Sequence, residues 1–248
     1  MADLQAIPRT AVAFTGYAMK SNHPDGLVAK LDGGTLRAFD RSATLELPAG
    51  QSHFGFMADG LGWLANEGMY IPKGFYFSIP GGTFLHFIQP SKGVIISRPD
   101  YQSYLTMGKI ETEGRLRYID GCTDSLLVPP VKLGDPCLNL LYFPPGINQT
   151  MHTHPSDRIG MILSGEGICD VEDAEGERSI PLTAGMLFCI HTGGHHRFRT
   201  NDQPMRVLAY HPDSDFGPTD QDHPMINRTM VNGVSARELT GIHTRDGG

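Results

Sequence analysis

Short runs of β-branched and aromatic residues recur along the chain, and glycine, proline, asparagine or aspartate interrupts each of them. The runs are clearest at residues 43–47, 74–79, 93–97, 138–143, 158–163, 185–190 and 206–210. Apolar residues at the helical period of 3.6 are scarce, so we expect helix only in short pieces near residues 98–108 and 236–239. Short strands at regular spacing, with turn residues between them, predict an all-β sandwich or barrel.

Two β-rich halves flank a polar segment at residues 99–114. The halves contain similar short stretches, such as residues 34–40 and 114–120, as expected if a duplication had later been altered by insertions. We therefore place a domain boundary near residue 110 and predict two domains, residues 1–110 and 111–248. A chain of 248 residues is long for a single core, and its length fits this division.

Composition limits the class of protein. The 30 glycines and 18 prolines suit many short strands joined by tight turns. A net charge of −7 without a basic run argues against a nucleic-acid partner, and no apolar stretch is long enough to predict a membrane span. The first residues lack the pattern of a signal peptide. The four cysteines form no C-x-x-C pair and are expected to be buried free thiols, which favours a cytoplasmic protein.

The residues that suggest chemistry lie in the second half. His152 and His154 occupy positions i and i+2, and such residues point to the same face of a β-strand. His196 follows about forty residues later, beside Gly193 and Gly194. Two imidazoles on one face, with a third from a neighbouring strand, can hold a divalent metal and leave coordination positions open for substrate.

The second half resembles a cupin, a small jelly-roll barrel of two sheets, over about residues 120–215. The first cupin motif is G-x5-H-x-H-x3–4-E-x6-G. Gly146, His152, His154 and Gly165 match it, while Arg158 stands where glutamate is usual.

The second cupin motif is G-x5-P-x-G-x2-H-x3-N. Gly185, Gly193 and His196 match it, His191 replaces the proline, and Asn201 falls one position late. The agreement of glycine and histidine spacing in both motifs carries the resemblance.

A weaker trace of the second motif lies in the first half. Gly74, Pro80 and Gly82 fit it, but Leu85 stands at the histidine position. His86 is one residue further on, and a shift of one residue in a strand points a side chain to the opposite face. The chain thus resembles a bicupin, with two all-β jelly-roll barrels and little helix. The resemblance implies that only the C-terminal barrel is competent to bind a metal and that the N-terminal barrel is degenerate.

The resemblance implies that His152, His154 and His196 hold one divalent metal per chain. Arg158 cannot replace the missing carboxylate, because a guanidinium stays charged and has no lone pair to give. Asp157 is one residue earlier and could approach through a local bulge. Two alternatives stay open, a site of three histidines and a site with Asp157 as a fourth ligand.

Arg158 and His195 are the candidate catalytic residues. If Arg158 faces the cavity, it resembles the arginine that holds the substrate carboxylate in thiol dioxygenase-type cupins. If it faces outward, it pairs with a surface carboxylate. His195 should point away from the metal because it precedes a ligand on a strand, although the glycines before it could let it exchange with His196.

The resemblance implies an enzyme with a divalent metal that acts on a small anionic metabolite. Fe(II) is the preferred metal, and Mn, Ni and Zn are the alternatives. A non-heme Fe(II) dioxygenase with three histidine ligands is the preferred oxidoreductase function. A lyase, isomerase or hydrolase on the same metal, and a non-catalytic ligand-binding or sensor protein, are the alternatives, because fold does not decide between them.

Assembly and the C-terminal tail complete the expectations. We expect a homodimer, since pairing of barrels removes exposed sheet edges. The expected ligand is a small molecule, with no nucleic acid and no membrane as partner. His211, His223 and His243 lie in a proline- and aspartate-rich region that we expect to wrap the outside of a barrel or a partner subunit.

Overall fold

A computed structural model describes residues 12–15, 27–31, 34–173 and 176–244. Antiparallel β-structure dominates it and confirms the all-β prediction. The strands are β1 Val12–Thr15, β2 Leu27–Leu31, β3 Gly34–Arg41, β4 Leu45–Leu47, β5 Gln51–Asp59, β6 Leu61–Leu64, β7 Met69–Pro72, β8 Phe75–Pro80, β9 Thr83–Phe87, β10 Ser91–Pro99, β11 Thr106–Lys109, β12 Leu116–Arg117, β13 Thr123–Val128, β14 Cys137–Phe143, β15 Arg158–Ser164, β16 Glu166–Asp173, β17 Gly176–Thr183, β18 Leu187–Ile190, β19 His195–Arg199, β20 Met205–His211, β21 Met230–Val231 and β22 Val234–Ser235.

Helix is confined to short pieces in the described residues. The α-helix α1 spans Pro224–Arg228, and 3-10 turns span Ile119–Gly121, Ala236–Glu238 and Thr240–Ile242. None of these pieces is long and apolar enough to cross a bilayer.

Apart from the two-stranded sheet β21-β22, the described strands form two pairs of antiparallel sheets. In the first half, a six-stranded sheet has the order β11-β8-β5-β10-β3-β2, and a four-stranded sheet has the order β4-β9-β6-β7. In the second half, the large sheet has the order β1-β18-β15-β20-β14-β13-β12, and a small sheet has the order β17-β16-β19. The last strand of the first pair of sheets, β11, ends at Lys109, and the next strand, β12, begins at Leu116 in the second pair.

One strand crosses between the two halves. Strand β1 comes from the N-terminal end of the chain, yet it pairs with β18 at the edge of the large sheet of the second half, with Val12 opposite Ile190 and Thr15 opposite Leu187. The division at residue 110 did not anticipate this exchange, because strand pairing across such a sequence distance leaves no local signal.

The prediction of a helix near residues 98–108 is wrong. Strand β10 continues to Pro99, and β11 pairs with β8 through Met107 opposite Phe77. Between the strands, the Ser52 hydroxyl donates to the Tyr101 carbonyl at 2.8 Å and accepts from the Ser103 amide at 2.8 Å. These contacts hold the segment extended along the first-half sheet and override its weak helical pattern.

Apolar side chains alternate along the strands with a period of two and fill three cores. One core occupies the interior of the first barrel and one the interior of the second. The third lies between the halves and joins strands β3, β5 and β10 to β13, β14, β15, β18 and β20. Its buried members are Leu36, Ala38, Phe54, Phe56, Val94, Ile96, Leu127, Val128, Leu138, Leu140, Ile159, Met161, Leu187, Cys189, Leu208 and Tyr210.

Leu85, which stands at the histidine position of the second cupin motif in the first half, lies in the core of that half. Leu85 is fully buried in the interior of the first barrel, whereas His86 points outward and its Nδ1 lies 2.8 Å from the Thr44 hydroxyl. This arrangement agrees with the strand parity that the sequence indicated. The four cysteines are all buried and free, as predicted.

Candidate metal centre

Three histidines of the second barrel converge on one point. His152 and His196 face each other across a single antiparallel bridge, with the His152 amide 2.9 Å from the His196 carbonyl and the His196 amide 3.0 Å from the His152 carbonyl. His154 lies two residues further along the same segment. One ring nitrogen of each histidine lies within 4.8 Å of the other two, close enough for a single ion to lie between them.

Backbone carbonyls fix the orientation of two rings. The Nδ1 of His152 donates to the Thr150 carbonyl at 2.8 Å, and the Nδ1 of His196 donates to the Gly194 carbonyl at 2.9 Å. A carbonyl only accepts, so each Nδ1 carries a proton, and in a neutral ring of this tautomer the Nε2 lone pair is free to bind a metal. The Nε2 of His196 is buried and has no hydrogen-bond partner. An unsatisfied buried acceptor of this kind is rare, and a metal ligand fits it.

Burial also sets the protonation of the cluster. It lowers the pKa of His154 to about 2, with the charge of Arg158 as a further cause, and it lowers the pKa of His196 to about 4. Both rings are therefore neutral near pH 7, which is the form that binds a metal. The donor set, the free lone pair and the neutral rings all fit a divalent cation.

The histidines open onto a cavity of about 270 Å³ inside the second barrel. Its walls are mostly apolar, as is usual for a small-molecule site. The lining residues are Leu116, Arg117, Tyr118, Asp124, Asn139, Leu141, Phe143, Gln149, His152, His154, Arg158, Phe188, Ile190, His196, Phe198, Val207, Ala209 and His211.

Gly160 allows β15 to lie close to β20 in the sheet that forms the cavity wall. It lies on β15 between the cavity residue Arg158 and the buried Ile162. A Cβ atom at Gly160 would lie 1.8 Å from the Leu208 carbonyl oxygen and 3.0 Å from the Phe188 ring. The sheet therefore requires glycine at this position.

Arg158 lies in the cavity wall. Its Nη1 donates to the Ser156 carbonyl at 2.9 Å, the Ser156 hydroxyl at 2.7 Å and the Asp157 carbonyl at 3.0 Å. The Ser156 hydroxyl in turn donates to the Asp213 carboxylate. The Nε of Arg158 is buried and has no partner. Arg158 therefore lines the cavity, and its Nε is a hydrogen-bond donor without a protein partner.

Asp157 and His195 lie elsewhere. The Asp157 carboxylate accepts from the Thr192 amide at 2.8 Å and the Thr192 hydroxyl at 3.1 Å, so it ties two loops together and is not part of the histidine cluster. The His195 ring is 41% exposed, and its Nδ1 lies 2.8 Å from the Glu172 carboxylate. Neither side chain lines the cavity.

Sequence reasoning missed several polar residues in the wall. His211 is not part of an outer tail but the last residue of β20, where it faces the cavity with Val207 and Ala209. Burial lowers its pKa to about 3. The alternation within β20 was the available signal, and the following proline masked it.

Asp124 and Asn139 form a second polar feature of the wall. The Asn139 Nδ2 donates to both Asp124 oxygens, at 3.1 and 2.8 Å. Desolvation raises the pKa of Asp124, and its hydrogen bond from Asn139 acts against this. A single sequence offers little to distinguish such a pair from ordinary strand polarity.

Residues 139–211, which carry all three histidines, match the family model of the cupin domain. The fold and the site agree with this match. Residues 139–211 therefore form a cupin domain. No curated protein sequence matches the chain.

Several solved structures resemble the chain over both halves. A putative glyoxylate-induced protein from Pseudomonas aeruginosa is 15% identical, with a TM-score of 0.66 over 88% of this chain and 94% of that chain. A variant of salicylate 1,2-dioxygenase from Pseudoaminobacter salicylatoxidans is 10% identical, with a TM-score of 0.61 over 84% of this chain and 86% of that chain. Oxalate decarboxylase from Bacillus subtilis, which has Mn(II) centres, is 11% identical, with a TM-score of 0.50 over 95% and 87% of the chains. Identities this low establish a shared fold alone.

Proposed function

We propose that this cupin is a metal-dependent enzyme that acts on a small organic anion, and that it is a non-heme Fe(II) dioxygenase with three histidine ligands. The observation that carries the proposal is the convergence of His152, His154 and His196 at a cavity whose wall also contains the free donor of Arg158. When bound, the metal supplies a Lewis acid and, as Fe(II), a centre that can activate O₂.

The protein's own residues would select and hold the substrate. Three histidines without a carboxylate leave the full +2 charge of an ion in place, which favours an anionic substrate. Arg158 adds a second positive charge and a buried Nε donor for a carboxylate. The apolar walls, among them Phe143, Phe188 and Phe198, exclude bulk water and strengthen these attractions.

The ligand set favours dioxygenase over lyase chemistry. The cupin motif places glutamate where this chain has Arg158, and a three-histidine site occurs in some cupin dioxygenases. A solved salicylate 1,2-dioxygenase has the same fold, whereas the oxalate decarboxylase is a decarboxylating relative. We therefore keep a lyase, or another metal-dependent reaction without O₂, as the outcome that would replace the dioxygenase.

The direct test is oxygen consumption. Protein purified without oxygen and loaded with Fe(II) would be mixed with aromatic hydroxy acids, including salicylate, and with oxalate in an oxygen-electrode cell. We expect O₂ uptake with at least one acid, lost in His154→Ala and retained in the control His86→Ala, whose side chain lies outside the cluster on the first barrel.

Other outcomes would change the proposal in different ways. Substrate loss or CO₂ release without O₂ uptake would replace the dioxygenase by a lyase. Tight ligand binding without turnover, by protein that holds no redox metal, would favour the sensor. The expected homodimer and cytoplasmic location remain proposals as well, and light scattering above the chain mass of 27.1 kDa would support the first.

A further inference from the structure

The Asp124–Asn139 pair in the cavity wall receives no hydrogen bond from any other described side chain. Asn139 is 7% exposed, and its Nδ2 is directed to the Asp124 carboxylate. This leaves the Oδ1 of Asn139 buried and without a partner. The amide orientation is settled chemically, because an Oδ1 turned toward the carboxylate would be repelled.

No cation neutralises Asp124 in the part of the chain that the structure describes. Its polar contacts are the two hydrogen bonds from Asn139. Arg117 lines the same cavity at its exposed edge but makes no ion pair with Asp124, and the Nη1 of Arg158 is directed to Ser156 and Asp157. A partly buried carboxylate beside an unpartnered amide oxygen is costly unless a hydrogen-bond donor meets it.

The acceptor pair and Arg158 are well separated around the large sheet. Arg158 begins β15 and Asp124 lies on β13, with β20 and β14 between them. Asp124 pairs with Leu141, which pairs with Val207 and through it with Ile162, four residues beyond Arg158. With about 4.8 Å between strands and about 3.3 Å per residue, the two backbone positions are roughly 14 Å apart across the strands and roughly 13 Å apart along them. Their side chains reach inward from these positions and leave room for a small molecule between them.

Three buried polar atoms of the cavity-lining residues thus lack a protein partner: the Nε2 of His196, the Nε of Arg158 and the Oδ1 of Asn139. Each atom suits a different kind of binding partner. The first fits a metal, the second fits an acceptor such as a carboxylate, and the third, with Asp124, fits a donor.

We propose that Asp124 and Asn139 form a donor-binding subsite, so that the ligand of this cavity is a small organic acid with a hydroxyl or amino group at its opposite end. The acid group meets Arg158 and the metal centre, and the hydroxyl or amino group donates to Asp124 and Asn139. The inference rests on the proposed function, because it names the substrate class for the same cavity.

Equilibrium binding with matched probes tests the subsite without turnover. The probes are benzoate, 3-hydroxybenzoate, 4-hydroxybenzoate and 4-(aminomethyl)benzoate, titrated calorimetrically into metal-loaded protein under nitrogen. We expect at least one donor-bearing acid to bind about tenfold or more tightly than benzoate, the size expected for a hydrogen bond to a charged group. An ammonium preferred over a hydroxyl would identify an amino acid, and the reverse order a hydroxy acid.

Two variants tie that preference to the pair. Asp124→Asn should reduce the preference for the ammonium probe to below about threefold and leave benzoate binding unchanged. Asn139→Leu, which removes the free oxygen at similar volume, should lower the preference for both kinds of donor and serves if Asp124→Asn fails to fold. Asp202→Asn, in an exposed turn, is the control and should behave as wild type.

Several results would overturn the subsite. These are wild-type protein that binds none of the probes, equal binding of benzoate and all donor-bearing acids, and a preference that survives in the folded variants. Failure of the proposed function is a separate result, because absent O₂ uptake with an intact donor preference removes the dioxygenase and leaves the subsite. O₂ uptake without a donor preference removes the subsite alone.

Discussion

At position 158 an arginine stands where the cupin motif has a glutamate ligand, and this single residue changes the charge of the site. The sequence predicted the three histidines because their spacing and strand parity are local properties. It left the direction of Arg158 open, because a long side chain at the start of a strand takes its direction from the preceding loop. The Ser156 carbonyl and hydroxyl provide that direction.

Substitution of Arg158 should separate metal binding from anion binding. Arg158→Ala should keep the metal content, because no ligand is lost, and weaken binding of an anionic inhibitor by roughly 1.5–3 kcal/mol. Arg158→Glu should raise metal affinity by adding a carboxylate ligand and abolish anion binding through repulsion. Elemental analysis and calorimetry measure the two effects. Unchanged affinities in Arg158→Glu would remove this residue from the site.

Asp157 and Asp124 show where prediction of individual site residues from the sequence fails. Both are single acidic residues near inward-facing positions, and the sequence singled out only Asp157, as an alternative fourth ligand, because of its place in the motif. In the structure, the Asp157 carboxylate accepts a hydrogen bond from the Thr192 amide, whereas Asp124 lies in the cavity wall. The two residues differ in the path of the loops that carry or surround them, and the hydrophobic periodicity of the sequence does not predict that path.

At the scale of elements, β19 carries His196 and is attached to β16 by a buried carboxylate. Asp170 on β16 is 1% exposed and accepts from Arg197 at 2.8 Å, from Arg199 at 2.6 and 2.8 Å, and from the Ser179 hydroxyl at 2.6 Å. These contacts hold the pKa of Asp170 far below its usual range, with the Arg199 hydrogen bonds as the largest cause. The network therefore stabilises the strand that positions a metal ligand.

Removal of this charge should destabilise the protein. Asp170→Asn should lower the free energy of unfolding by roughly 1.5–3 kcal/mol, because hydrogen bonds to a charged acceptor are lost and the arginines remain. Urea denaturation of this variant, of wild type and of the exposed control Asp202→Asn measures the loss. A loss no larger than that of the control would show that the network is unimportant.

The same carboxylate predicts a pH dependence. Because the pKa of Asp170 is lower in the folded protein, its contribution is fully present above the unfolded value of about 3.9 and is lost as the pH falls below it. The difference in unfolding free energy between wild type and Asp170→Asn should thus shrink by about 1 kcal/mol between pH 7 and pH 3. A constant difference over that range would be inconsistent with the shift.

Strand existence was predictable, but strand pairing was only partly so. The period of two identified the strands, and their alternation identified which residues face a core. It did not predict β11, which pairs with β8, nor the pairing of β1 with a strand of the distant sheet. Both depend on tertiary contacts that local sequence does not encode.

At the scale of the whole molecule, the two barrels share a core. Phe54 of the first half and Tyr210 of the second are both fully buried, with ring centroids 5.1 Å apart. The degenerate barrel therefore has a structural role whatever its chemistry, since it covers the outer face of the sheet whose inner face forms the cavity.

Weakening this shared core should affect the entire chain. Phe54→Ala should lower the free energy of unfolding by roughly 3–5 kcal/mol, because a large buried ring leaves a cavity. Thermal unfolding should show both barrels melting together at a reduced temperature. Two separate transitions, with the second barrel unaffected, would show that the halves are energetically independent.

Metal content is the most direct test of the account. We expect about one equivalent of divalent metal per chain by elemental analysis, lost in His152→Ala and in His154→Ala and retained in His86→Ala, because the three converging histidines lie in the second barrel and Leu85 replaces a ligand in the first. Two equivalents per chain, or metal retained when both His152 and His154 are replaced, would contradict it.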